Sequence, residues 1–278
     1  MLLLLLSAWT ACAQEKASHE SQREQKPWWD KLVSAQDIEK QASQQYAQLV
    51  EQAYQSHALL GPLSPRVTQV RGVANALILN ASSYNPRASQ WAWEVNVIDA
   101  QVVNAFCMPA GKIVVYAGLM VQLGLSDEEL AVVLGHEMAH ALLEHSRARL
   151  AKEMATQGVA RLGGVLAAGV LGVDPRLGEY VASEGAGLLS LKFSREDEQA
   201  ADALGLELAA RSGFDPRASV TLWKKMQGLN KTQAPVWLST HPSDAARVQS
   251  MQALWPKVMP LFEKAQHDAR VKAYHLQE

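Results

Sequence analysis

The stretch Ser126-Asp127-Glu128-Glu129, followed by Leu130-Ala131-Val132-Val133-Leu134-Gly135 and then His136-Glu137-Met138-Ala139-His140, decides how this chain is built. Ser126 and Glu129 stand at capping-box spacing. Leu130, Val133, Leu134, Ala141 and Leu142 continue as an apolar stripe of helical period, so the pattern predicts one helix. On a helix, residues four apart lie nearly above one another, and the imidazoles of His136 and His140 therefore reach a single ion. Glu137, one step round, points alongside that ion without ligating it, as a base acting on water there must. The competing reading is a buried helix whose histidines are four apart by chance. The rest of the chain tests it.

A zinc site needs a third protein ligand. The metzincin continuation would place Gly and His at 143 and 146, where Leu143 and Ser146 stand, so that pattern is excluded. The segment Ser194-Arg195-Glu196-Asp197-Glu198-Gln199-Ala200-Ala201-Asp202 offers a carboxylate instead. Glu198 and Asp202 share a helical face, which suits Glu198 on the metal and Asp202 behind it, accepting an N–H from a ligand imidazole. Glu196 and Asp197 fit a solvated acidic helix start. Glu144 is a rival ligand, but it follows His140 on the same helix and is poorly placed to complete a tetrahedron.

The run from Val103 to His140, the Ser194–Asp202 segment and Thr240-His241-Pro242 through Arg247 resemble the HtpX- and CaaX-protease-type zinc metallopeptidases, and among these the soluble periplasmic BepA- and LoiP-like branch. The resemblance implies an α+β fold, mostly helical and of gluzincin type, with a small sheet beside the zinc helix. It also implies one zinc ion per chain held by His136, His140 and Glu198, with Glu137 as general base. Asn104 to Lys112 resembles the family's active-site strand and turn, and departs from it at Cys107 and Ala110, where a small apolar residue and a glycine are usual. The resemblance assigns Asn104–Met108 as an edge strand to which substrate backbone adds. His241 has three open roles: donor to the oxyanion, inhibitory fourth ligand, or a structural pin acting through Arg247. His145 is expected to face away from the ion.

Alternation in Trp91–Val97, Val102–Met108 and Ile113–Tyr116 predicts three strands, the last two joined by the turn Pro109-Ala110-Gly111-Lys112. Helical spacing covers Ala35–His57 and Pro65–Asn80. With 26 basic against 28 acidic residues and no long basic run, nucleic acid is not an expected partner. Leu2–Leu6 and the following small residues read as a signal segment over 1–13 with two cleavages open: a lipobox-like one that acylates Cys12 and anchors the chain to the outer membrane on its periplasmic side, or ordinary signal-peptidase cleavage at Ala11-Cys12-Ala13 that releases a free periplasmic protein. Residues 14–34 read as a polar tether and 35–278 as one metallopeptidase domain. The apolar run Leu162–Val173 is too short to span a bilayer. Cys107 is expected as a small core residue without a disulfide partner. The expected function is a zinc endopeptidase acting on unfolded or misassembled envelope proteins. The rival is a chaperone-like envelope assembly factor with structural or regulatory zinc.

Overall fold

The computed structural model describes residues 27–157, 193–229, 236–241 and 245–275. Among them, a 3-10 turn at Trp28–Lys31 precedes helices α1 (Ala35–Gln55) and α2 (Pro65–Ala81). Strands β1 (Glu94–Ile98), β2 (Ala105–Met108) and β3 (Lys112–Tyr116) follow, then α3 (Ala117–Leu123), α4 (Asp127–Leu142) and α5 (His145–Gln157). The remaining helices are α6 (Arg195–Arg211), α7 (Ala218–Gly228), α8 (Val236–Thr240) and α9 (Ala245–His275). The chain is thus mostly helical with one small mixed sheet, as expected.

The sheet order is β1-β3-β2, with β3 parallel to β1 and antiparallel to β2. Side chains alternate across a strand, so each strand serves two cores. Ala105, Cys107, Ile113 and Val115 join the larger core with α2, α4, α6 and α7. Phe106, Met108, Val114 and Tyr116 join a smaller one with α1 and with Leu150 and Ala151 of α5. The β2–β3 turn places Ala110 and Gly111 at φ 65° and 72°. That conformation favours glycine, so Ala110 carries local strain of about 1–2 kcal/mol. A Cβ on Gly111 would also stand 2.6 Å from the Trp93 ring.

Helix α4 is capped as the sequence indicates: Ser126 Oγ accepts from Glu129 N, and the Glu129 carboxylate accepts from Ser126 N at 2.9 Å. Its most extensive helical neighbour is α6. The two cross glycine against glycine, where a Cβ on Gly135 would fall 2.7 Å from the Gly205 carbonyl oxygen and one on Gly205 2.7 Å from His136 N. No larger residue permits this approach, and it sets the spacing between the His136 helix and the Glu198 helix.

Two expectations are corrected. Within the region read as a tether, Trp29 packs against the smaller core and Val33 is buried, and Arg147 donates to the Val33 and Asp30 carbonyls. The chain also does not run straight on from α4, because Glu144 adopts φ 56° and redirects it into α5. The signal segment, Cys12 and Leu162–Val173 lie outside the described residues. Among the described residues, no helix is long and apolar enough to cross a membrane.

Candidate metal centre

His136 and His140 project from α4 and Glu198 from the first turn of α6, the turn held by the Ser194–Asp197 capping box. With His241, which directly follows α8, they form one buried group whose ligand atoms all lie within 4.8 Å of one another. His136 Nε2 is 3.1 Å from His140 Nε2, 3.2 Å from His241 Nδ1 and 3.5 Å from Glu198 Oε2. His140 Nε2 and His241 Nδ1 lie 3.5 and 2.9 Å from Glu198 Oε1. Donors on a tetrahedral zinc at bond lengths of about 2.0–2.1 Å stand roughly 3.3–3.4 Å apart, so these separations suit a small divalent ion.

The hydrogen-bonding network agrees. Asp202 Oδ1 accepts the Nδ1 proton of His136 at 3.0 Å, and His140 Nδ1 is engaged by His145 Nδ1 at 2.9 Å. Both Nε2 atoms face the same point, where a metal ion would take a lone pair from each. Glu198 Oε2 forms an ion pair with Arg247 Nη1 at 2.7 Å, yet accepts no aligned hydrogen bond. A buried carboxylate oxygen and two converging ring nitrogens are the donor set that a metal of zinc type takes.

Arg247 also donates to both oxygens of Asp202, at 2.9 and 2.6 Å, and lies over the Trp223 ring. Burial alone would raise the Glu198 and Asp202 carboxyls. Surrounding imidazoles outweigh it at Glu198, and His136 with Arg247 does so at Asp202, holding both below the usual carboxylate range. Burial also works against a proton on either imidazole of α4. At His136 the Asp202 carboxylate reverses this and raises the ring, whereas His140 is left well below its ordinary value.

Glu137 does not point into the donor set. Its Oε1 accepts the indole N–H of Trp237 at 2.6 Å and lies 3.5 Å from His241 Nε2. Trp237 stacks on His241 at 4.9 Å between ring centroids, and its backbone N–H donates to Val103 O, just ahead of β2. Strand β2 is the outer strand on this side of the sheet. Asn104 O accepts from Tyr116 N, so by antiparallel alternation the backbone groups of Ala105 and Cys107 face outward. Phe193 stacks on His140 at 3.8 Å and closes the other flank.

The structure therefore brings His136, His140, Glu198 and His241 together, with Glu137 beside them and Asp202 and Arg247 behind. Glu144 pairs with Arg147 instead. Cys107 is a buried thiol that desolvation raises well above its ordinary range. Two contributors escaped the sequence reading, Trp237 and Phe193, and His145, expected to face away, lies against His140 instead. Only Trp237 left a local signal, since it precedes His241 by one helical turn.

The model of the family described as Peptidase family M48 matches residues 65–254. The chain is 40% identical over 156 residues to a mitochondrial metalloendopeptidase OMA1 of Arabidopsis thaliana, covering 56% of this chain and 30% of that one. It is 31% identical to the metalloprotease LoiP of Escherichia coli, with 55% and 59% covered. To a beta-barrel assembly-enhancing protease of Yersinia pestis it is 30% identical, with 66% and 38% covered. The plant mitochondrial relative is thus more similar than either bacterial one, so the likeness extends beyond the BepA and LoiP branch. The chain spans between about a third and a half of the length of the OMA1 relatives of plant, cattle and fission yeast.

Proposed function

The chain belongs to peptidase family M48, and on that premise we propose that it is a zinc-dependent endopeptidase cleaving unfolded or misassembled proteins of the bacterial cell envelope. The observation that carries the chemistry is the convergence of His136, His140 and Glu198 on one point beside the Glu137 carboxylate. His136, His140 and Glu198 would hold a zinc ion, which would supply Lewis acidity towards water and the scissile carbonyl. Glu137 takes the proton from the attacking water and delivers it to the leaving amine nitrogen. The Trp237 indole N–H orients that carboxylate. The outward backbone groups of Ala105 and Cys107 offer an extended substrate a strand to pair with.

Support for the envelope comes from the Leu2–Leu6 run ahead of Ala11-Cys12 and from the two bacterial relatives. We assign the periplasmic side of the outer membrane, with a lipid on Cys12. The mitochondrial relatives support the peptidase chemistry equally, and the compartment in their names is not the one proposed here.

His241 favours one refinement. Four protein donors close a zinc site, and catalysis needs one position open. In our reading the arrangement is a resting form in which His241 withdraws to admit substrate, and its ring then serves as a donor to the oxyanion. The rival reading, an assembly factor with structural zinc, keeps all four donors in place.

The test is zinc content and casein cleavage of the full chain and its Glu137→Gln variant. Both should hold one zinc, with cleavage confined to the wild type. Cleavage by the variant removes Glu137 from the mechanism, and a zinc-loaded wild type that cleaves nothing favours the assembly factor.

A further inference from the structure

His145 was expected to face away from the ion. On an uninterrupted helix it would lie about 140° round the axis from His140. Instead the left-handed residue Glu144 redirects the chain, and the His145 ring lies edge-on to His140, with centroids 5.0 Å apart and 71° between planes. Arg147 holds this turn, donating to Glu144 at 3.1 Å, and Asn85 donates to the Leu142 carbonyl at 3.0 Å. The His145 ring is buried and its Nδ1 is the hydrogen-bond partner of His140 Nδ1; its Nε2 lies 3.8 Å from Asp197 Oδ1. Asp197 closes the capping box of α6 by accepting from Ser194 N, and it neighbours Glu198.

We propose that His145 is a positioning residue for the metal: its Nδ1 accepts the Nδ1 proton of His140, fixing the tautomer that turns the His140 Nε2 lone pair into the donor set. Metal-ligating histidines need such a partner on the second nitrogen, and its loss costs about 10–100-fold in metal affinity. For His136 the partner is the Asp202 carboxylate. Among the described residues His140 has no hydrogen-bond partner at Nδ1 other than His145. Since His145 accepts at Nδ1, its own proton sits on Nε2, towards Asp197. One neutral ring thereby touches both ligand-bearing helices, α4 through His140 and α6 through Asp197.

The inference rests on the metallopeptidase reading for its zinc measurement but not for its second readout. Full-length wild type, His145→Leu and His145→Asn are compared by zinc competition against a chromogenic chelator. Leucine fills the space without an acceptor, while the asparagine amide oxygen reaches the place of Nδ1. The expected result is a 10–100-fold loss of affinity for His145→Leu and a loss within about three-fold for His145→Asn. Full affinity in His145→Leu, or equal losses in both variants, overturns the proposal. The second readout is the side-chain nitrogen NMR spectrum of the metal-free wild type. It should show His140 protonated on Nδ1 and His145 on Nε2, and the opposite tautomer at His140 overturns the proposal even if His145→Leu does not fold. A wild type that binds no zinc sinks the metallopeptidase reading, while the tautomer measurement still decides this one.

Discussion

The two imidazoles of α4 stand one helical turn apart, and they are held by unlike surroundings. Behind His136 lies a charged network, with Asp202 accepting its proton and Arg247 bonded to Asp202 and paired with Glu198. Behind His140 lie a neutral ring, His145, and the stacked face of Phe193. Backbone geometry is common to both, so the difference in their basicity comes from the partners alone. One side of the site is set by compensated charge, the other by aromatic packing and a single neutral hydrogen bond. Buried charge is costly to leave unpaired, whereas a lost stack forfeits only contact and some ordering.

The largest effect should therefore fall on the charged side. Arg247→Leu leaves Glu198 and Asp202 buried without their cation, and the metal-free protein should lose about 3–5 kcal/mol in urea unfolding. A loss below 1 kcal/mol would mean that water or another cation already compensates those carboxylates.

Next comes the contact that serves both sides. Gly205→Ala drives a methyl into the backbone of α4 at His136, and overpacking of this kind costs about 1–3 kcal/mol. Zinc affinity should fall with it, because Glu198 moves away from the histidine pair. Unchanged affinity would show that the crossing does not set the ligand spacing.

On the aromatic side, Phe193→Ala should cost about 0.5–1.5 kcal/mol beyond its lost area, with zinc kept. An effect as large as that of Arg247→Leu would erase the contrast.

The subtlest prediction concerns protons in the metal-free protein. His136, raised by Asp202, contributes stability that is full below the unfolded histidine value near 6.5 and lost as pH rises through its higher folded value. His140, lowered by burial, acts oppositely: the unfolded state binds its proton more readily, so stability grows as pH rises from the lower folded value towards about 6.5. An NMR titration should find His140 deprotonating well before His136. A shared midpoint for the two rings would contradict the comparison.

Much of this was legible along the chain because it depends on neighbours within one turn of helix or one strand. The capping box at Ser126, the four-residue spacing of His136 and His140, the shared face of Glu198 and Asp202 and the alternation of the strands are all local regularities. What escaped depends on encounters between distant segments. Trp237 reaches Glu137 across a hundred residues of chain. His145 is close to His140 in sequence, yet its placement turned on a left-handed residue at Glu144, a glutamate where glycine or asparagine would have marked the redirection.

The sequence by itself determined the helix that bears the histidine pair, the carboxylate that joins it and the class of chemistry those groups support, because side-chain direction on a helix follows from its period. Only the tertiary structure decided that His241 stands among the donors, that Trp237 holds Glu137 and that the two histidines have different supports. Those outcomes follow from how closely α4 and α6 approach at Gly135 and Gly205 and from where the chain turns after α4. Such packing is settled by the fit of many residues at once rather than by the pattern of any one segment.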